Sequence, residues 1–155
     1  MGLQPPIDPA EVARMLSAVV IPQPGAEDLS GILIRREGQI VIGLNSRRPV
    51  GQQRFAVAHC LGHLRLHPVR PVIVCTDRRG ELGAIPSIAT DREEAAANRF
   101  AAAFLMPEPA VRDLARRSDC AATGMGLAQA AADVFGVSAS VAAFRLLYLG
   151  LVAGG

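Results

Sequence analysis

Residues 54–67 read Arg-Phe-Ala-Val-Ala-His-Cys-Leu-Gly-His-Leu-Arg-Leu-His (RFAVAHCLGHLRLH), and this stretch holds all three histidines of the chain. From Gly51 to Leu66 the pattern is helical: Phe55, Ala58, Leu61 and Leu66 mix with His59 and His63, and Pro68 stops the run. The histidines stand at i, i+4 and i+8. Residues four apart share a helix face at about 6 Å, so His59 and His63 can hold one metal ion between them, which is the mechanical content of a His-Glu-x-x-His motif. His59 and His67 are about 12 Å apart along the axis, too far to share that ion with His63 between them. His67 is read as ending the helix, where a donor suits the free carbonyls.

Outward from this helix the elements are short and well punctuated. Upstream, Leu29–Arg36 (LSGILIRR) and Gln39–Leu44 (QIVIGL) are β-branched runs separated by Glu37-Gly38, a hairpin signal. Before them Asp8-Pro9 opens a helix that carries Val12, Met15, Leu16 and Val19 at helical spacing, with Pro22 as its stop. Downstream, Pro71–Cys75 reads as a third strand. The segment from Thr76 to Thr90, with Gly80, Gly83 and Pro86, reads as a long loop that should border the site and be more mobile than its flanks. Thr90 or Asp91 caps a helix through Leu105, Glu108–Arg117 is another, and Leu127–Phe135 and Ser138–Leu149 close the chain around Gly136-Val137.

Glu93 and Glu94 open the 90–105 helix. A carboxylate from a second helix is the usual third ligand of a His₂Glu zinc hydrolase, but acidic residues also favour any first helical turn. Chemistry alone does not choose between the two readings or between the two glutamates.

Composition narrows the class. The chain has 155 residues, half of them hydrophobic, with five Phe, one Tyr and no Trp, so a single domain with a core of Ala, Val, Leu and Ile is expected. Net charge is +2, with 16 basic and 14 acidic residues interspersed. The arginine pairs at 35–36, 47–48, 78–79 and 116–117 read as solvated surface. Cys60, Cys75 and Cys120 form no paired spacing, which argues against a disulfide framework and for a reducing compartment. Cys75 and Cys120 are read as inert. The start, MGLQPPIDPAEV, has no apolar signal core, and no window is apolar enough to span a membrane. A cytoplasmic location without membrane contact is expected. The closing helices follow a helix-turn-helix pattern, but the second offers only Ser138, Ser140 and Arg145 among apolar residues, so direct nucleic-acid binding is not expected.

Two stretches carry a family resemblance. RFAVAHCLGHLRLHP resembles the active-site helix of the ImmA/IrrE zinc metallopeptidases, which typically reads RFTIAHELGHLLLH. EEAAANRFAAAFLMPEP resembles their second signature, with Glu94, Ala97, Asn98, Phe100 and Leu105-Met106-Pro107 in register. The approach VIGLNSRRP and the tail FGVSASVAAFRLLYLGLV are similar as well. The resemblance implies a zincin-like α+β domain covering residues 1–155, a small antiparallel sheet, and a Zn2+ ion held by His59, His63 and Glu94. It implies that Asn98 orients a ligating histidine. It implies a protein or peptide substrate, such as a transcriptional repressor or an antitoxin. Oligomeric state is not readable.

The chain departs from the family at Cys60, which stands where the general-base glutamate belongs. That glutamate takes the proton of the attacking water and delivers it to the leaving amine. A thiol sits directly on Cβ, too short to reach the same place, and it prefers to bind metal. Four readings of Cys60 stay open: lost catalysis, leaving a metal-binding pseudoenzyme; an engineered substitution; a fourth zinc ligand; or a nucleophile served by His59 or His63. A small cysteine packed as a hydrophobe is compatible with the first two. The expected function is that of a zinc-dependent metallo-endopeptidase impaired at Cys60, with a non-catalytic, metal-binding interaction module as the alternative.

Overall fold

A computed structural model of the chain describes residues 5–76, 88–118 and 124–152. Residues 77–87, most of the expected long loop, lie outside the described residues, as does Cys120. The fold is α+β, in two compact units: one from Asp8 to Ala101, the other from Ala102 onward together with the first seven residues.

In the first unit, α1 (Pro9–Met15) starts where expected: Asp8 accepts a hydrogen bond from the Ala10 amide and Pro9 occupies the first turn. It ends early. Ser17 takes a left-handed conformation (φ 64°), and Ala18–Gln23 forms β1 rather than the helix continuation expected through Val19. The β-branched run Val19-Val20-Ile21 favours a pleated surface over a helix.

β2 (Leu29–Arg36) and β3 (Gln39–Asn45) form the expected hairpin, with Arg36 opposite Gln39. Glu37 and Gly38 both have positive φ, 52° and 76°, as a two-residue turn matched to strand twist requires. The third expected strand is β4 (Val72–Thr76), antiparallel to β2. The sheet order is β1-β3-β2-β4. Because β1 runs parallel to β3, the sheet is mixed, not the purely antiparallel one expected.

α2 (Val50–Leu66) packs across β2 and β3. Leu33, Ile42 and Ile73 of the sheet and Ala58, Cys60 and Leu61 of the helix lie in the core. Asn45, at the end of β3, is buried with its side chain fully used. Its Oδ1 accepts from Gly25 and Arg47 amides at 2.9 and 3.0 Å, and its Nδ2 donates to the Ala26 and Leu29 carbonyls at 2.8 Å each.

Arg35 is not the solvated surface arginine that its pairing with Arg36 suggests. From β2 it reaches the C-terminus of α2, donating to the carbonyls of His63, Leu64 and His67 at 3.0, 3.1 and 3.0 Å, and to that of Arg70. The last carbonyls of a helix run short of intrahelical partners, although that of His63 also accepts from the His67 amide at 2.8 Å, and a guanidinium satisfies several at once while favouring the negative end of the helix dipole. Arg35→Ala should destabilise the protein by roughly 2–3 kcal/mol, the scale of charge-assisted bonds lost with their acceptors left behind. Arg35→Lys should recover only part of this. A urea midpoint unchanged by Arg35→Ala would refute the capping role.

α3 (Asp91–Leu105) begins with a reciprocal capping box: the Glu93 amide donates to Thr90 Oγ1 at 3.2 Å, and the Thr90 amide to Glu93 Oε1 at 3.0 Å. The cap is therefore Thr90. In the second unit, α4 (Glu108–Arg117), α5 (Gly124–Phe135) and α6 (Ala139–Tyr148) follow the expected breaks. Gly136, at φ 67°, ends α5, and Ser138 caps α6 by accepting from the Val141 amide. Arg145, the basic residue of the last helix, is buried and donates to the Met106 carbonyl at 3.0 Å. Among the described residues no single helix is long and apolar enough to cross a membrane.

Candidate metal centre

The i, i+4 spacing on α2 does what a helix requires of it. His59 and His63 lie on one face with Nε2 atoms 3.0 Å apart and rings edge to face. Both are buried, His63 completely. Glu94, from the first turn of α3, closes on the pair: its Oε1 is 2.9 Å from His59 Nε2 and its Oε2 is 3.3 Å from His63 Nε2.

Glu93, the neighbouring carboxylate, is turned away by the helix rotation of about 100° per residue. It is held by Arg70, whose Nε donates to its Oε2 at 3.1 Å, and by the Thr90 cap. The two glutamates thus differ in what surrounds them: a guanidinium meets Glu93 and two imidazoles meet Glu94.

The approach of α3 to α2 depends on Gly62, which stands between the two histidines' turns. A Cβ there would lie 3.1 Å from Ala97 Cα and O and 3.2 Å from Phe100 Cβ. Gly62→Val should therefore force the helices apart, withdraw Glu94 from the histidines and cost about 1–3 kcal/mol as overpacking. Urea denaturation and metal affinity should fall together. Loss of stability at unchanged metal affinity would separate Gly62 from the site.

The residues fit a metal ion. A tetrahedral ion about 2.1 Å from each ligand atom sets those atoms about 3.4 Å apart. The two Nε2 atoms are 3.0 Å apart, and the Glu94 oxygens approach them at 2.9 Å (Oε1 to His59) and 3.3 Å (Oε2 to His63), distances of that order. Glu94 Oε2 also lies outside hydrogen-bonding geometry although buried, and a cation would satisfy it.

Without a metal, the clustered groups shift one another's ionisation. Burial alone would lower the His59 pKa, but the Cys75 thiol and the Glu94 carboxylate outweigh it and push it up to about 10. His63 is raised by the same neighbours against burial and the His59 charge. Glu94, which burial would raise, is held well below the usual carboxylate range by the two histidines close to it.

Two other expected roles come out differently. Asn98 is exposed on α3. His63 Nδ1 faces His67 Nδ1 at 3.0 Å, and His59 Nδ1 has no hydrogen-bond partner among the described residues. The structure therefore does not bring Asn98 to either histidine. His67, the residue that caps α2, is the one that touches a ligand-side ring.

Cys60 is fully buried and turned to the sheet: a Cβ built on Gly31 of β2 would lie 3.9 Å from its Sγ. No carboxylate occupies position 60 to serve as a base.

Cys75, read as inert from the sequence, is part of the cluster. The ligand atoms of His59, His63 and Cys75 all lie within 4.8 Å of one another. The Cys60 thiol, then burial, push the Cys75 pKa above the usual thiol range, against the two histidines. The local signal was alternation: Ile73 and Cys75 share the buried face of β4. That this face meets α2 follows only from the pairing of β4 with β2.

Two histidines one helical turn apart and a carboxylate from a second helix define a metallopeptidase-like site. The chain belongs to the family of IrrE N-terminal-like domains, Peptidase M78, whose sequence model matches residues 17–147. No curated protein matches the chain.

Proposed function

We propose that this chain is a zinc-binding, metallopeptidase-like protein whose hydrolytic step is impaired by Cys60. The supporting observation is the convergence of His59, His63 and Glu94, with separations of 2.9 to 3.3 Å, around a position that has no general base. When bound, zinc would polarise a peptide carbonyl and acidify water. His59 and His63 would supply neutral nitrogens and Glu94 a carboxylate, while Gly62 and Arg35 hold the geometry. The partner is a protein or peptide, such as a repressor or antitoxin. A protein rather than DNA is favoured because Arg145 is buried on its own carbonyl partner. The free thiols of Cys60 and Cys75 suit a reducing, cytoplasmic setting.

A second reading, a non-catalytic module acting by contact, is favoured by the complete burial of Cys60 against the sheet. Metal analysis after dialysis tests what both readings share. About one zinc per chain is expected, lost in His63→Ala and in Glu94→Ala. Zinc retained in both variants would place the metal elsewhere. Cleavage assays separate the two readings: residual zinc-dependent cleavage fits an impaired peptidase, and none at all fits the module.

A further inference from the structure

We propose that the Cys75 thiolate is a metal ligand beside His59 and His63, filling the position that Glu94 leaves open. This rests on the metal reading above and goes beyond it. Catalytic zinc sites have three protein ligands and an open position, whereas structural sites are closed by a fourth. The closing ligand here comes from the sheet.

In the ladder between β2 and β4, Cys75 stands opposite Gly31, where a Cβ would meet the Gly43 carbonyl at 2.8 Å and lie 3.9 Å from the Cys60 sulfur. Cys75 thus faces α2 at the turn that carries the histidines, and its sulfur lies within 4.8 Å of a ligand nitrogen of each. It is buried, so water does not compete for the sulfur. Thiolate is a preferred zinc donor. On binding, the S–H bond breaks, its electron pair enters the metal–sulfur bond, and the proton leaves to solvent.

Cys60 is the less suitable thiol. It follows His59 directly on the helix, rotated about 100° from it, and points at Gly31. Two departures from an open peptidase site therefore occur side by side. The base is replaced at position 60, and the position where water and substrate would bind is taken at 75. The metal then holds β4, α2 and α3 together.

Cobalt substitution tests this on the full chain. Bound Co2+ should show a near-ultraviolet sulfur-to-metal charge-transfer band in the unsubstituted protein and in Cys60→Ser. In Cys75→Ser the band should vanish and affinity should fall at least about 10-fold, a lower bound taken from changes in supporting residues. X-ray absorption of the zinc protein, which needs no Cys75 variant to fold, should show one sulfur at about 2.3 Å, kept in Cys60→Ser. A sulfur signal lost in Cys60→Ser and kept in Cys75→Ser would overturn the assignment. Stoichiometric metal with no sulfur signal would overturn it too while leaving the proposed function standing. Failure to bind either metal would instead bring down the proposed function itself.

Discussion

The double variant Cys60→Glu/Cys75→Ala should hydrolyse peptides about 10²–10⁴-fold faster than Cys75→Ala alone, the range that general acid–base assistance contributes. Glutamate reaches two carbons further than the thiol it replaces and can carry a proton from the attacking water to the leaving amine. Removing the Cys75 sulfur, which touches that of Cys60, opens a metal position and frees space next to the longer side chain. Cys60→Glu alone should gain much less, because Cys75 would still occupy the metal. Adding His63→Ala to the double variant should abolish the gain. A zinc-saturated assay on a mixed peptide library, or on a candidate repressor, measures these rates. Equal rates in the single and double variants would mean that no proton path runs through position 60. Vigorous cleavage by the unsubstituted protein, stopped by thiol alkylation, would favour a nucleophilic Cys60.

Thermal stability should depend on pH with opposite signs in the chelated and zinc-loaded protein. The His59 pKa in the fold, about 10, lies above its ordinary 6.5. Its contribution to stability is therefore fully present below 6.5 and is lost as pH rises through 10. Glu94 lies below its ordinary 4.5, so its contribution is present above 4.5 and lost as pH falls through the lowered value. The chelated protein should be most stable between these two ordinary values and lose stability towards alkaline pH. Zinc reverses the slope, because imidazoles and thiol must be deprotonated to bind it. At zinc about 1,000 times Kd the stabilisation is about 4 kcal/mol, or roughly 8–16 °C in a protein of this size. Melting curves across pH 5–10, with zinc and with chelator, read both slopes. His63→Ala should remove the zinc shift entirely. Parallel slopes with and without zinc would contradict the shared site.

Local spacing along the chain encodes part of this site. His59 and His63 share a face because four residues make about one helical turn. The β2–β3 hairpin follows from Glu37-Gly38 between two β-branched runs, and α3 from a cap at Thr90 or Asp91. The resemblance of the second signature singled out Glu94. What spacing does not encode is which faces meet. The Val19–Ile21 run became strand β1 because β3 offered it a parallel ladder. Arg35 became a helix cap because its strand passes the end of α2. Glu93 and Glu94 diverge because Arg70 waits on one side and two imidazoles on the other. Cys75 reaches the histidines only because β4 pairs with β2 opposite Gly31. Periodicity fixes a residue's direction on its own element, but a site assembled from a helix, a second helix and a strand depends on non-local pairing, which no window of neighbouring residues contains.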